Sequence, residues 1–188
     1  MSGAESFLAR VATALEGAGI PYMLAGSFAS SYHGAPRATQ DIDIVVDPTF
    51  ESLDRFLAAL KGDDIYLDAD VAREEFRRRG QFNIIDGTTA WKVDVIFRKA
   101  RAFSVEEMSR RLPAVVLGVA VFVATAEDTV LAKLEWAKLG ESERQRRDVA
   151  ALLEAKGGPL DLGYIERWLD ELGIRESWDG LRRSANLG

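Results

Sequence analysis

The sequence predicts an α+β fold, with a mixed, mostly antiparallel sheet flanked by helices and a helical C-terminal half. Up to residue 124, short β-branched runs alternate with amphipathic helical patterns. From residue 125 onward, helical patterns follow one another without strand signals. We therefore expect a core over residues 1–124 and a helical region over residues 125–188 that packs on it.

The first half of the chain begins with a helical stripe of Phe7, Leu8 and Val11, which ends near two glycines. Short apolar runs between turn residues then predict strands. The elements expected here are a helix over 4–17, a strand at 22–25, a brief helix at 28–32, a strand at 41–46, and a helix with Asp47 as its cap and Pro48 in its first turn.

The middle of the chain predicts a hairpin around Asp86-Gly87, and Thr125 opens a capping box for the first of the C-terminal helices. The tryptophans at 136, 168 and 178 lie at helical spacing with leucines and are expected in the core. The remaining predicted elements are an edge strand at 65–67, a helix at 71–79, strands at 81–85, 91–97, 115–116 and 119–123, and helices at 125–139, 142–156, 162–172 and 174–181.

Composition limits the chemistry available to the chain. It has 188 residues, no cysteine and one histidine, His33, which excludes disulfides, thiolate sites and multi-histidine zinc sites. His33 precedes a glycine at a helix end and is expected to pack or cap rather than catalyse. Because the sequence shows neither a secretory signal nor an apolar run of about 20 residues, a cytoplasmic protein without a membrane segment is expected.

The charge is unevenly distributed along the chain. Its net value is −6, with −7 over residues 1–70, +4 over residues 71–111 and −3 over the rest. The basic middle segment predicts either a surface for a polyanion or an ordinary solvated helix face. The overall acidity argues against strong non-specific binding of nucleic acids.

Three aspartates carry the strongest functional signal. Asp41 and Asp43 are two apart in a β-branched run, so both project from one face of a strand. Asp94 lies within a second apolar run, 91–97, which is an unusual setting for a merely solvated acid. Carboxylates gathered on one sheet repel each other and are most naturally compensated by divalent cations. The pattern therefore indicates metal-assisted phosphoryl chemistry.

A glycine-serine turn, Gly26-Ser27, lies between the first predicted strand and the helix that follows it. Gly26 has no Cβ and allows a ligand to approach the backbone closely, while Ser27 adds a hydroxyl and the helix start favours phosphate. The pair alone is a common turn, and it lacks the spacing of a P-loop or of a dinucleotide-binding motif.

Taken together, these motifs resemble the DNA polymerase β-type nucleotidyltransferase superfamily. The stretch from Gly26 to Gly34, which leads through Pro36 to Asp43, is similar to AbiEii-type toxins and related stand-alone bacterial nucleotidyltransferases. The segments Thr125-Ala126-Glu127-Asp128 with Lys133, and Arg147-Asp148-Val149, are similar to helical motifs of the same group. The resemblance extends over most of residues 20–155.

The resemblance implies a nucleotidyltransferase-type fold and a role for each matching residue. Gly26 and Ser27 would hold the triphosphate of an incoming NTP. Asp41, Asp43 and Asp94 would ligate two Mg²⁺ ions, and Asp94 would also help to deprotonate the attacking hydroxyl.

Three further residues are candidates outside the carboxylate motif. Arg37 would neutralise the triphosphate, or it is a loop arginine paired with an acid. Lys133 would contact the nucleotide and Asp148 would belong to the same wall of the cleft, or the two form an ion pair between helices.

The implied reaction transfers a nucleoside monophosphate to an acceptor hydroxyl. The acceptor would be RNA, such as a tRNA end, in a toxin–antitoxin or phage-defence system with a cognate antitoxin. Two alternatives remain open at this point: transfer to a small molecule of the aminoglycoside type, and a catalytically inert partner-binding module of the same fold. The sequence leaves the oligomeric state and the transferred base undetermined.

Overall fold

A computed structural model describes residues 2–140, 142–155 and 160–184. The chain divides into two compact units. The sheet unit comprises Met1–Phe28 and Ala38–Ala124, and the helical unit comprises Ala29–Arg37 and Thr125–Gly188. The predicted α+β class, with a mostly antiparallel sheet and a helical C-terminal half, is confirmed.

The described part of the sheet unit contains one seven-stranded sheet. Its strands are β1 (Tyr22–Leu24), β2 (Asp41–Val46), β3 (Ile65–Leu67), β4 (Gln81–Asp86), β5 (Lys92–Phe97), β6 (Leu112–Val116) and β7 (Val119–Val123). The spatial order is β3-β4-β5-β2-β1-β7-β6. Neighbours pair antiparallel except β2 with β5 and β1 with β7, which run parallel. The two parallel pairs therefore lie on either side of the antiparallel β1–β2 pair.

The helices before residue 125 are α1 (Gly3–Gly17), α2 (Gly26–Tyr32), α3 (Phe50–Ala59), α4 (Ala69–Arg78) and α5 (Ala102–Arg110). Because side chains alternate along a strand, one face of β2 and β5 is buried in the core. The core joins that face to apolar side chains of α1 and α3, among them Phe7, Leu8, Val11, Ile42, Ile44, Leu53, Phe56, Val93 and Val95. The opposite face of these two strands carries the charged residues at their N-terminal ends and the half-buried Val45 and Ile96 further along.

The helical unit contains α6 (Ala126–Gly140), α7 (Glu143–Glu154), α8 (Leu162–Leu172) and α9 (Arg175–Ser184). Helix α6 is capped at Thr125, the residue expected to open it, because the Thr125 hydroxyl accepts the Asp128 N–H at 3.1 Å. The Asp128 carboxylate is fully buried and accepts hydroxyl hydrogens from Thr125 and Tyr164. The predicted end of α7 at Lys156 lies outside the described residues. None of the helices in the described ranges has both the length and the apolar composition that crossing a bilayer requires.

Two helix starts differ from the prediction. The cap of α3 is Thr49 rather than Asp47, because the Thr49 hydroxyl accepts the Ser52 N–H at 3.2 Å and Pro48 stays outside the helix. Helix α4 begins at Ala69, since the Asp68 carboxylate accepts two N–H groups of its first turn. The role of Asp68 as a cap depends on backbone geometry that composition does not reveal.

Two other expectations were wrong. Helix α5 was missed because its cap residue, Arg101, makes no capping hydrogen bond and its apolar stripe is short. Trp136 was expected in the core but is 48% exposed, whereas Trp168 and Trp178 are buried as predicted. The buried face of α6 carries Leu134, and a residue two positions further along a helix points away from that face.

The turn between β4 and β5 is organised by Asp86. Its carboxylate accepts the N–H groups of Thr88 and Thr89 at 2.8 and 3.3 Å and the Thr89 hydroxyl at 2.6 Å. These hydrogen bonds, led by the one from Thr89, hold the pKa of Asp86 below its ordinary value. A carboxylate whose pKa is lowered by folding stabilises the protein above the unfolded-state pKa, and this stabilisation is lost as the pH falls through the folded-state pKa.

We predict that Asp86→Ala lowers the free energy of unfolding by about 1 kcal/mol at pH 7, because the two N–H groups and the Thr89 hydroxyl lose their acceptor. The difference from wild type should be complete above the unfolded-state pKa of about 3.9 and should shrink as the pH falls below it toward the lower pKa of the folded carboxylate. Urea denaturation at several pH values measures both effects. Asp63→Ala, at an exposed acid of the same unit, is the control. A pH-independent difference would contradict the role assigned to Asp86.

Candidate active site

The three predicted carboxylates lie on one face of the sheet. Strands β2 and β5 run parallel, in a register that places Asp43 opposite Asp94. Asp41 shares the face of Asp43 because the two residues are two positions apart on one strand. Ile42 and Ile44 point to the other side and are fully buried. The pairing thus brings together the acids that the sequence placed on separate strands.

A fourth residue, Lys92, completes this face, and sequence reasoning missed it. It lies opposite Asp41 in the same register and two residues before Asp94. Its Nζ is 3.3 Å from Asp41 Oδ1 and 3.1 Å from Asp94 Oδ2. The signal was available, because the two-residue period that paired Asp41 with Asp43 also pairs Lys92 with Asp94. We call these four side chains the carboxylate cluster.

The carboxylate cluster determines the protonation of Lys92. Partial burial lowers the pKa of Lys92, but its hydrogen bond to Asp94 and the charges of Asp94 and Asp41 outweigh that effect. The net result is a pKa above the ordinary value, so the ammonium is charged at neutral pH. The cluster therefore contains three carboxylates and one ammonium group, that of Lys92.

The donor set of the cluster fits a hard divalent cation. Carboxylate oxygens are the ligands that Mg²⁺ prefers, and Asp94 Oδ1 is buried without a hydrogen-bond partner. In the described part of the chain, no three acidic or histidine side chains are grouped closely enough to enclose an ion as they stand. Asp41 and Asp94 instead share the ammonium of Lys92, so a cation has to compete with that group.

Gly26 lies directly against the cluster. It follows β1 with a φ of +53°, and a Cβ built on it would be 1.9 Å from Asp43 Oδ2. The neighbouring Ala25 N–H donates to the carbonyl oxygen of Asp43 at 2.9 Å. Ser27 is buried, at 5% exposure. Glycine is therefore required here for two reasons, its left-handed backbone and the proximity of the Asp43 carboxylate.

The other predicted residues gather in the helical unit. Lys133 Nζ donates to Asp148 Oδ2 at 2.7 Å and to Gln145 Oε1 at 3.1 Å. Arg37 Nε is 3.8 Å from the same Asp148 oxygen. Side-chain exposure is 5% for Lys133, 15% for Asp148 and 27% for Arg37. The ion pair considered for Lys133 and Asp148 is present, and Arg37 also pairs with this acid.

The structure thus gathers the predicted residues into two groups. Asp41, Asp43 and Asp94 lie together in the sheet unit, with Gly26 against Asp43. Arg37, Lys133 and Asp148 lie together in the helical unit. His33 follows the end of α2, with its ring edge-on to that of Tyr32.

Solved structures share this fold. The crystal structure of ANT(2'')-Ia in complex with adenylyl-2''-tobramycin is similar over 93% of this chain and 99% of that chain, with 13% identity and a TM-score of 0.59. The solution structure of the same antibiotic-resistance factor is similar over 98% of each chain, with 11% identity and a TM-score of 0.53.

A nucleotidyltransferase-like protein from Paracoccidioides brasiliensis is similar over 95% of this chain and 91% of that chain, with 12% identity and a TM-score of 0.48. No protein-family model matches the sequence, and no curated protein matches it either. The structural neighbours are nucleotidyltransferases, and at these identities the likeness to ANT(2'')-Ia shows the fold.

We predict that Gly26→Ala destabilises the protein more than the same substitution at a glycine that has a positive φ but open space around it. Gly19 also has a positive φ, +70°, but a Cβ there would meet nothing within 4 Å. Gly19→Ala should cost about 1 kcal/mol, and Gly26→Ala at least about 2 kcal/mol, because the new methyl group collides with the Asp43 carboxylate. Urea denaturation of both variants provides the measurement, and equal losses would contradict the close approach.

We predict that the two partners of the Lys133–Asp148 ion pair contribute unequally to stability. Asp148→Asn should lower the free energy of unfolding by about 2 to 3 kcal/mol, because it leaves the buried Lys133 ammonium without an opposite charge. Lys133→Met should cost about 1 kcal/mol or less, since Asp148 keeps Arg37 beside it.

Denaturant titration at neutral pH tests this order. Glu143→Gln is the control, because it removes only an exposed pair with Arg146 on the same helix. A larger loss from Lys133→Met than from Asp148→Asn would show that Arg37 does not compensate Asp148.

Proposed function

We propose that the protein is a Mg²⁺-dependent nucleotidyltransferase that moves a nucleoside monophosphate from an NTP to an acceptor hydroxyl and releases pyrophosphate. One observation carries this proposal: Asp43 and Asp94 are paired in register, with Asp41 on the same face. The carboxylates belong to a fold whose solved neighbours are nucleotidyltransferases. A general acidic surface would not require acids at matched positions on neighbouring central strands.

The cluster supplies the ligands that this reaction needs. Asp41, Asp43 and Asp94 are the residues that would hold two Mg²⁺ ions. Bound there, the ions would offset the charge that develops on the entering and leaving oxygens of an in-line displacement. Asp94 takes the proton of the attacking hydroxyl as the new P–O bond forms and the bond to pyrophosphate breaks. Its buried carboxyl oxygen supports this role, because no protein group occupies it.

The residues proposed to bind the nucleotide are Gly26, Ser27, Arg37 and Lys133. Gly26 and Ser27 would hold the triphosphate. The close approach of the Gly26 backbone to the Asp43 carboxylate supports this placement, because it sets the turn directly beside the proposed metal ligands. Arg37 and Lys133 bring two positive charges to a single carboxylate, that of Asp148. The positive charges of these two side chains support the proposal that both bind the anionic nucleotide. Asp148 then orients them and limits their mutual repulsion.

The proposed acceptor is RNA, in a defence or toxin–antitoxin setting, and the basic segment 71–111 supports it. A small polyhydroxylated molecule of the aminoglycoside type is the second candidate. It is favoured by the charge of −7 over residues 1–70, which stays negative after the ion pairs of Asp47 and Asp54, and by the pairing of basic groups within the segment 71–111. Arg73 pairs with Asp54, Arg78 with Glu74, and Arg98 with Asp47, so part of the basic segment is already neutralised.

We predict that Asp43→Asn abolishes NTP-dependent labelling of any acceptor. The substitution keeps the side-chain volume but removes the charge needed for cation binding, so the melting temperature should change by only about 2 °C. The assay incubates the chain with Mg²⁺, each labelled NTP, and either total RNA or a panel of aminoglycosides. The class that becomes labelled identifies the acceptor.

The matched control is Asp63→Asn, which makes the same chemical change at an exposed acid of the sheet unit. It should retain full labelling. Retained labelling in Asp43→Asn would contradict the proposed site. If wild type labels nothing and calorimetry detects no NTP binding with Mg²⁺, the chain is an inert module of this fold.

A further inference from the structure

Lys92 places a positive charge among the three acids that would bind the metal. In the two-by-two arrangement of the cluster, its ammonium contacts one acid on each strand, Asp41 and Asp94. Asp43 occupies the diagonal position, opposite Asp94. Lys92 is therefore positioned to offset the repulsion between carboxylates of neighbouring strands before any ion is bound.

A metal ion and this ammonium require the same oxygens. Mg²⁺ binds carboxylate oxygens at about 2.0–2.1 Å, and an ammonium already contacts Asp41 Oδ1 and Asp94 Oδ2. Two cations held on the same oxygens repel each other strongly in a partly buried site. Lys92 can withdraw, because about a third of its side chain is exposed and it is the first residue of β5.

We propose that Lys92 is an internal counter-ion that competes with the divalent cation for Asp41 and Asp94 and thereby lowers the cation affinity of the empty site. The inference rests on the proposed metal-dependent function. It makes Lys92 a positioning residue, which holds the carboxylates in place until a cation displaces its ammonium. A cation that arrives with a nucleotide gains phosphate ligands, so it displaces Lys92 more readily than a free ion does.

The direction in which cation affinity changes when Lys92 is replaced distinguishes competition from a purely structural role. If Lys92 only braces the fold, replacing it leaves cation binding unchanged or weaker. If it competes, a neutral replacement makes cation binding tighter, while the protein without metal becomes less stable because Asp41 and Asp94 lose the ammonium between them. Added cation should then restore the melting temperature of the variant by a larger shift than in wild type.

The experiment titrates the full chain with Mn²⁺ without nucleotide, and follows free Mn²⁺ by electron paramagnetic resonance at constant ionic strength. Lys92→Met and Lys92→Gln should bind Mn²⁺ at least about tenfold more tightly than wild type. Lys92→Arg, which keeps the charge, should bind no more tightly. Lys61→Met removes an exposed lysine after α3 in the same unit and should stay within about twofold of wild type.

The outcomes separate this inference from the proposed function. If wild type binds Mn²⁺, Asp43→Asn loses that binding, and both neutral Lys92 variants match wild type, the competition is disproved and the metal site stands. If wild type and the neutral variants all fail to bind Mn²⁺ at millimolar concentration, both proposals fail. Tighter binding in either neutral variant, with Lys61→Met unchanged, supports the competition.

Discussion

The parallel pairing of β2 with β5 is the constraint on which the candidate site depends. It joins two strands that are far apart in sequence, and its register sets Asp43 beside Asp94 and Asp41 beside Lys92. Because side chains alternate along a strand, β2 and β5 each direct one set of side chains into the core and the other set to the opposite face. Ile42, Ile44, Val93 and Val95 anchor the pair in the core, so the charged side chains on the other face keep fixed neighbours.

Each unit contains a group of oppositely charged side chains in contact. Acids outnumber basic side chains in the group of the sheet unit, and basic side chains outnumber acids in the group of the helical unit. In the carboxylate cluster, one ammonium faces three acids, and the surplus is negative. In the helical unit, Arg37 and Lys133 face Asp148, and the surplus is positive. Each group is partly buried, where an unbalanced charge is costly.

The sequence predicted features that depend on local periodicity. Strand β2 was predicted at its observed bounds, and the hairpin of β4 and β5 was predicted around its observed turn, because apolar alternation and turn residues are local signals. The faces of Asp41 and Asp43 followed from the same periodicity. That Asp94 would join them was inferred from its apolar setting. The strand pairing that places it opposite Asp43 is a long-range property.

The features that were missed depend on contacts or exact geometry. The cap at Thr49 and the start of α4 at Asp68 depend on which oxygen reaches a backbone N–H group. The exposure of Trp136 depends on which face of α6 finds a partner. Lys92 was overlooked because a lysine at the start of an apolar run is usually solvated. Its contact with two acids exists only once β5 has paired with β2.

The turn held by Asp86 limits how this protein can vary. Asp86 and Trp91 are joined by a backbone hydrogen bond of 2.9 Å, and β5 starts one residue later. Deleting a single residue between them would shift β5 by one position and present Val93 and Val95 where Lys92 and Asp94 now lie. The length of this connection is therefore as restricted as the acids themselves, although none of its residues belongs to the cluster. Insertions are better tolerated in loops whose length does not determine which side chains of a central strand face the core.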